Sequence, residues 1–311
     1  MFKLKLPADF DAAAYLALNP DVKRSGKNAK IHYLRHGHAE GRPFRYSTDH
    51  HSVSDAARSR KMERLSPFLR TDMPSERLGL KLDFLSDDLR RQTRIAETDN
   101  VSANAYDGAV NALIEKHRDG LVLDCGAGKR PSYFENVINY EIVDYDSTDV
   151  IGVGEALPFK DATFDAVISV AVLEHVRDPF KCAKEIIRVL KPGGDLYCCI
   201  PFLQPLHGYP HHYFNATPQG IRSLFEDAMD SVEVSVPLST HPIWSLSWIL
   251  RAWRNNLPMI ARMKFDRMRV SDLIANPMVN LDKPFCSQLS LEAQLEIASA
   301  TVLTGQKSTP A

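Results

Sequence analysis

The stretch from Leu121 to Pro131, LVLDCGAGKRP, constrains this chain more than any other. An apolar strand, Leu121-Val122-Leu123, runs into Asp124 and then into the pair Gly126 and Gly128. Positions without a side chain at a strand's carboxyl end let the backbone approach a ligand closely and leave N–H groups to bind it, which suits a nucleotide-like molecule. A second run, Tyr140 to Val143, ends in Asp144, at about the 20-residue interval at which a nucleotide fold puts an acid on ribose hydroxyls.

Downstream, strands are expected at 121–124, 140–144, 149–152, 164–169 and 195–200, with helices between several of them. A strand at 231–237 and a last one near 298–305 complete seven. Such alternation predicts an α/β, doubly wound, mostly parallel sheet. The helix from Pro179 to Leu190 is well signalled: Asp178 caps it, Pro179 suits its first turn, and Lys191-Pro192-Gly193-Gly194 makes a turn after it. Another helix is expected from Thr217 to Asp227, and one over Ala105–His117 leads into the first strand. Leucines 78, 82, 85 and 89 predict an amphipathic helix over 78–94.

The N-terminus, residues 1–45, reads as a small helical module, with Phe10, Ala14 and Tyr15 on one face, Pro20 closing that helix, and Ile31, Tyr33 and Leu34 in another. Residues 46–76 lack sustained periodicity and read as a linker or arm, its cations Arg58, Arg60, Lys61 and Arg64 on a solvated helix face, with His50 and His51 exposed. Residues 77–311 form the main domain. A net charge of -1 on 311 residues gives no bulk electrostatic case for nucleic acid. Five cysteines without a C-x-x-C spacing suggest buried free thiols in a reducing compartment. The first residues do not read as a secretory signal, and no apolar stretch reaches about 20 residues. The expectation is a cytoplasmic protein, and around His50 and His51 no further ligands at metal-binding spacing are evident.

The order VLDCGAG, EIVDYD, GEALPFKDATFDAVISVAVLEHVRDP and EIIRVLKPGGDLYCCIPF resembles the class I S-adenosylmethionine-dependent methyltransferases, type 11-like, over roughly residues 105–237. The resemblance implies a Rossmann-like sheet and S-adenosylmethionine as cofactor. It implies that Asp124, Gly126 and Gly128 approach the methionine part, that Asp144 accepts from the ribose hydroxyls, and that Glu155, Ala156 and Leu157 flank adenine, with Val172 just past the central strand. Three departures stand out: Lys129 and Arg130 replace the third glycine, Val153 stands where many members carry an acid, and Pro131 with a short span to Asp144 requires the usual first helix to shrink or become a turn. The wording YLALNPDV…HYLRHGHAEGRPF also resembles a helical module of bacterial polysaccharide-biosynthesis proteins.

Methyl transfer from a sulfonium chiefly needs alignment, and an oxygen acceptor also needs a general base. The loop PFLQPLHGYPHHYFNAT carries His207, His211 and His212, of which His211 is the first choice, with Tyr209 and Tyr213 binding acceptor. Packing of these rings against the core is the competing reading; a metal site from His207 and His211 is a third, disfavoured because Gly208 and Pro210 forbid a regular helix, and Glu174 and His175 are alternatives for the base, with packing at the cofactor edge favoured for them. An insertion, 238–297, follows the sixth strand. Within it IWSLSWILRAW forms an amphipathic helix, read as a lid or as a peripheral membrane contact through 243–254. The leading expectation is O-methylation of a small-molecule or glycan-linked acceptor; the alternative is a non-catalytic scaffold in polysaccharide biosynthesis. A nicotinamide dehydrogenase fares worse, because its fingerprint needs glycine where Pro131 stands.

Overall fold

The computed structural model describes residues 5–7, 10–40, 42, 44, 54–95, 102–103, 105–208, 211–274 and 277–299. Three short helices open the chain, α1 (Ala12–Leu18), α2 (Pro20–Arg24) and α3 (Ala29–His32), the last running on as a π-helical turn over Tyr33–Gly37. Helix α4 (Asp55–Leu65) follows, then a hairpin of β1 (Glu76–Leu78) and β2 (Lys81–Asp83), then α5 (Asp87–Thr93) and α6 (Gly108–Lys116). The alternating core comprises β3 (Val122–Cys125), β4 (Val137–Glu141), β5 (Val150–Ile151), β6 (Phe164–Val170), α7 (Pro179–Val189) and β7 (Leu190–Cys199). After α8 (Pro218–Ser223) the insertion is helical: α9 (Pro242–Asn255), α10 (Met259–Phe265), α11 (Val270–Leu273), α12 (Pro284–Ser287) and α13 (Leu291–Glu296).

The seven strands form one sheet in the order β1-β2-β5-β4-β3-β6-β7, parallel throughout except for the β1/β2 hairpin. The order reverses direction at β3, where β4 lies on one side and β6 on the other. The crevice outside the carboxyl ends of β3 and β6 is therefore the topological switch point, where open α/β sheets bind ligands. Alternation along β3 sends Leu121 and Leu123 into one core, with Leu65 of α4 and Ile186 of α7, and Val122 into another, with Val110 and Ile114 of α6. Both faces are covered, which is why these strands read as continuous apolar runs.

The count of seven is right, but its members differ from those expected. Residues 231–237 form no strand: Val234 and Val236 are exposed and unladdered. The region 298–305 lies outside the described residues beyond Ser299. At the opposite edge the sheet gains β1 and β2, which are not among the expected strands. There the leucine spacing that predicts a helix over 78–94 is broken by Gly79 (φ +64°), which begins the two-residue turn between Leu78 and Lys81. Only 87–93 of that stretch is helical, capped by Ser86.

The expected arm over 46–76 is corrected in part. Helix α4 packs on the core that α7 also covers, through Leu65 and Met62, and residues 126–136 contain no helix, as Pro131 and the short span require. Its inward stripe is Ala57, Arg58, Lys61 and Leu65. Lys61 is fully buried, 2.7 Å from Asp149 and 3.4 Å over the Tyr133 ring, and Arg58 donates to Thr148 O. Only Arg60 and Arg64 keep to the surface side, Arg60 on Glu135 and Arg64 on Gly120 O. A helix can bury cations when a sheet offers it a buried carboxylate and free carbonyls. His50 and His51 lie outside the described residues.

The Lys191-Pro192-Gly193-Gly194 turn is present, but inside β7: the ladder jumps from the Phe164–Leu190 pair to the Ala166–Asp195 pair, and the bulge takes up the extra residues with Gly193 at φ +73°. In the N-terminal module Pro20 starts α2 rather than merely closing α1, and Tyr15, Val22, Ala29 and Tyr33 make a small core of their own. Helix α1 lies against α6. All five cysteines are free. Among the described residues no helix is long and apolar enough to cross a membrane.

Candidate functional site

At the tip of β3, Gly126 (φ +84°) and Gly128 (φ +63°) hold a conformation that L side chains rarely adopt. A Cβ on Gly126 would lie 2.3 Å from Val172 Cγ2, and one on Gly128 would lie 2.7 Å from Ser102 O. Close approach is thus required at both positions, here by the chain itself. The Gly126 and Ala127 amides donate to Tyr140 O at 2.9 and 3.0 Å, Gly128 N donates to Glu141 Oε2 at 2.7 Å, and Lys129 N donates to Ser102 O at 2.7 Å.

Asp124 is fully buried. Its carboxylate accepts from Arg130 Nε at 2.8 Å and from Tyr106 OH at 2.6 Å, and the Arg130 guanidinium lies 4.2 Å over the Tyr106 ring. Burial and the neighbouring Asp124 charge push the Tyr106 phenol well above its usual range. Burial works against the Arg130 charge, but Asp124 and Tyr106 more than offset it. One of the two residues that replace the third glycine therefore has a structural role, since Arg130 neutralises the buried acid of β3.

Asp144, the acid expected to meet the ribose, is half exposed and pairs with Lys81 of β2, whose ammonium also donates to Tyr145 O at 2.9 Å. The acid that touches the glycine loop is Glu141, missed from sequence because β4 stops pairing at Glu141, short of the end of its apolar run. Burial holds its carboxyl above the ordinary range. The remaining expected donor-binding residues divide. Leu157 is buried in the core, its N–H donating to Glu185 Oε2 at 2.8 Å. Glu155 is buried, with its carboxyl raised by desolvation, and Ala156 N donates to Val153 O at 3.1 Å. Val172 packs on Gly126 just past β6, after Ala171, whose φ of +56° marks a strained strand tip.

Of the three loop histidines, His207 and His212 come together, and His175 joins them, with ring centroids 4.3 to 5.6 Å apart. His211 points away from this cluster: its Nε2 lies 2.9 Å from Arg94 O, while its backbone oxygen accepts from His175 Nδ1 at 2.7 Å. Under the cluster lies Glu174, fully buried, with no hydrogen-bond partner on either carboxylate oxygen. Burial lifts its carboxyl to about 8. The same desolvation lowers His175 and His207, which keeps both rings neutral near pH 7. Tyr213 has a buried hydroxyl without a partner; Tyr209 lies outside the described residues.

Beside the cluster, Trp248 of α9 stands 5.2 Å from the His207 ring and lines a cleft of about 560 Å³ with Gln204, Trp244, Arg251, Asn255 and Glu296. The outer face of α9 leaves Ile243, Trp244 and Leu246 exposed, and the insertion closes a core of its own around Leu257, Ala261 and Phe285.

Residues 123–198 match the family model described as a methyltransferase domain, which indicates S-adenosylmethionine as the cofactor of this segment. The ubiquinone/menaquinone biosynthesis C-methyltransferase of Pasteurella multocida is 37% identical over 92 residues, covering 28% of this chain and 34% of that protein. The demethylmenaquinone methyltransferase of Streptomyces griseus is 30% identical over 117 residues, covering 33% and 50%. The chain thus spans no more than half the length of these curated relatives. Among solved structures, a phosphoethanolamine N-methyltransferase of Haemonchus contortus aligns at 17% identity and TM-score 0.31, covering 56% of this chain and 44% of that one.

Proposed function

We propose that this protein is an S-adenosylmethionine-dependent methyltransferase acting on an oxygen of a small-molecule or glycan-linked acceptor. The observation that carries the reading is the matched segment 123–198, whose strand tips meet at the switch point with a histidine cluster beside them. The residues there fit the donor in kind: glycine backbone at the tip of β3, the carboxylates of Glu141 and Asp144 past the tip of β4 for ribose hydroxyls, and Glu155 to Leu157 with Val172 for the adenine side. When bound, the donor supplies an electrophilic methyl group. The chain's own work is to orient the acceptor, exclude water and take up the acceptor's proton.

His207 is the best proton acceptor of the three loop histidines. Its Nδ1–H is held by Pro205 O at 2.8 Å, so Nε2 keeps a lone pair, and burial keeps the ring neutral. His212 has both ring nitrogens engaged, by His207 N–H and by Asn215 Oδ1. The cleft beside Trp248 suits a polyhydroxylated acceptor, since two tryptophans and several amide or charged groups line it. The glycan part of the reading otherwise rests on the N-terminal wording YLALNPDV…HYLRHGHAEGRPF. The insertion 238–297 acts as acceptor wall; peripheral membrane contact through the exposed face of 243–254 is a subsidiary proposal that liposome flotation tests.

The test is turnover of loop variants with labelled methyl donor and glycan or small-molecule extracts. His207→Ala is expected to lower kcat about 10²–10⁴-fold while His211→Ala leaves it within a few-fold. Full turnover by His207→Ala would remove it from the reaction. A second reading, a scaffold that keeps the fold without catalysis, is favoured by one observation: the loop's amides and Asp124 are all engaged by the chain's own groups.

A further inference from the structure

We propose that Glu174, His175 and His207 form a site for a divalent transition-metal ion, with zinc(II) and cobalt(II) as its probes. One ligand atom from each lies within 4.8 Å of the other two. Their hydrogen bonds fix which atoms these are. A backbone carbonyl only accepts, so the Nδ1 of His175, on His211 O, and the Nδ1 of His207, on Pro205 O, both carry the ring proton. Each Nε2 therefore carries a bare lone pair, and the two lie 3.7 and 4.0 Å from Glu174 Oε1.

When Glu174 is ionised, its buried carboxylate and the two lone pairs converge with no donor between them and repel one another in a medium of low dielectric. Both gaps are too long for a direct hydrogen bond. A cation placed among the three atoms removes the repulsion and satisfies the orphaned carboxylate. Ligands about 2.0–2.2 Å from a tetrahedral ion lie roughly 3.3 Å apart, so each gap between Glu174 and a histidine closes by about half an ångström.

The surroundings have the form a metal site needs. Both imidazoles are held from behind by backbone carbonyls, which fixes tautomer and ring orientation. Gly208, at φ +79°, lets the loop lie on His175: a Cβ there would be 2.2 Å from the ring. His212 packs against both rings with its own nitrogens engaged, and so walls the site without joining it. Three protein ligands leave a coordination position open, the pattern of catalytic rather than structural sites. The His207 ring of the site stands beside Trp248, which lines the acceptor cleft. The site rests on the proposed oxygen methylation and deepens it, because a hydroxyl coordinated there becomes more acidic and its proton passes to solvent; the ion then replaces the His207 lone pair as the means of activating the acceptor.

The experiment is metal binding by the full chain, independent of turnover. Protein stripped with chelator is titrated with cobalt(II), followed by visible d–d absorption, and zinc content is measured by mass spectrometry after dialysis. About one equivalent per chain is expected, with bands of a four- or five-coordinate ion, weakened about 100-fold or more in Glu174→Gln, in His207→Ala and in the milder His207→Gln. His212→Ala should keep the ion, and circular dichroism should show every variant folded. Equal binding by wild type and ligand variants, or none by folded wild type, would overturn the site and leave a shared proton or a water in its place. Binding of S-adenosylhomocysteine by the metal-free protein separates this failure from failure of the methyltransferase reading.

Discussion

Two buried carboxylates stand at or just past the tips of neighbouring parallel strands, Asp124 on β3 and Glu174 beyond β6, and they are treated in opposite ways. Asp124 is neutralised by Arg130 and hydrogen-bonded by Tyr106, while Glu174 has no partner on either oxygen. A buried charge costs several kcal/mol unless it is paired. The chain meets that cost at Asp124 with a cation from the pair that stands in place of a third glycine. It leaves Glu174 to be met by a proton or a ligand, and burial accordingly raises its carboxyl to about 8. The difference separates a residue that holds a loop in shape from one available for chemistry.

That contrast can be broken most severely at Arg130. Arg130→Met leaves Asp124 buried and uncompensated, and urea unfolding should show a loss of about 3–5 kcal/mol. A loss below about 1 kcal/mol, the scale of an exposed pair, would mean that Asp124 is not neutralised by this partner.

A third buried acid, Asp149, sharpens the comparison through Lys61. Burial holds that ammonium down to about 8 from 10.5 although Asp149 works the other way. Between those values the unfolded chain binds the extra proton, so stability rises with pH across the window: the cost of burying the charged ammonium is full below about 8 and is relieved as pH rises towards 10.5. The stability of wild type relative to Lys61→Met should therefore grow by roughly 1 kcal/mol per pH unit from 8 to 10. A flat difference would contradict the burial of Lys61.

The smallest effect belongs to Glu174. In chelator, Glu174→Gln removes no hydrogen bond and should unfold within about 1 kcal/mol of wild type. A cost like that of Arg130→Met would reveal a partner within the fold and erase the contrast.

Much of the fold is legible in the sequence because burial on both faces leaves unbroken apolar runs: 121–124, 140–144 and 164–169 all become strands within a few residues. Side-chain caps are equally local, and Asp178, Thr217 and Ser86 each accept the N–H they are spaced to accept. What escapes is whatever depends on a distant partner. Helix α4 hides because two of its inward positions, Arg58 and Lys61, are cations whose acid lies far along the chain. Leu78 and Leu82 mimic a helix until a sheet edge recruits them. The residues 232–236, alternating as a strand does, find no ladder. At the site, the glycines and the histidine loop are legible from residue type. Glu174 and His175 are legible only as alternatives to the loop histidines, and Glu141 is not legible, since its role is set by the Gly128 amide that it meets across the crevice.

Thermal or urea unfolding with S-adenosylhomocysteine, against NAD as control, tests the central claim most directly. The account predicts that the first ligand at about 100 times its dissociation constant stabilises the chain by about 2.7 kcal/mol and that NAD does nothing. No stabilisation by S-adenosylhomocysteine at millimolar concentration would contradict it and leave the fold as a scaffold whose glycine loop is closed by its own Glu141 and Ser102.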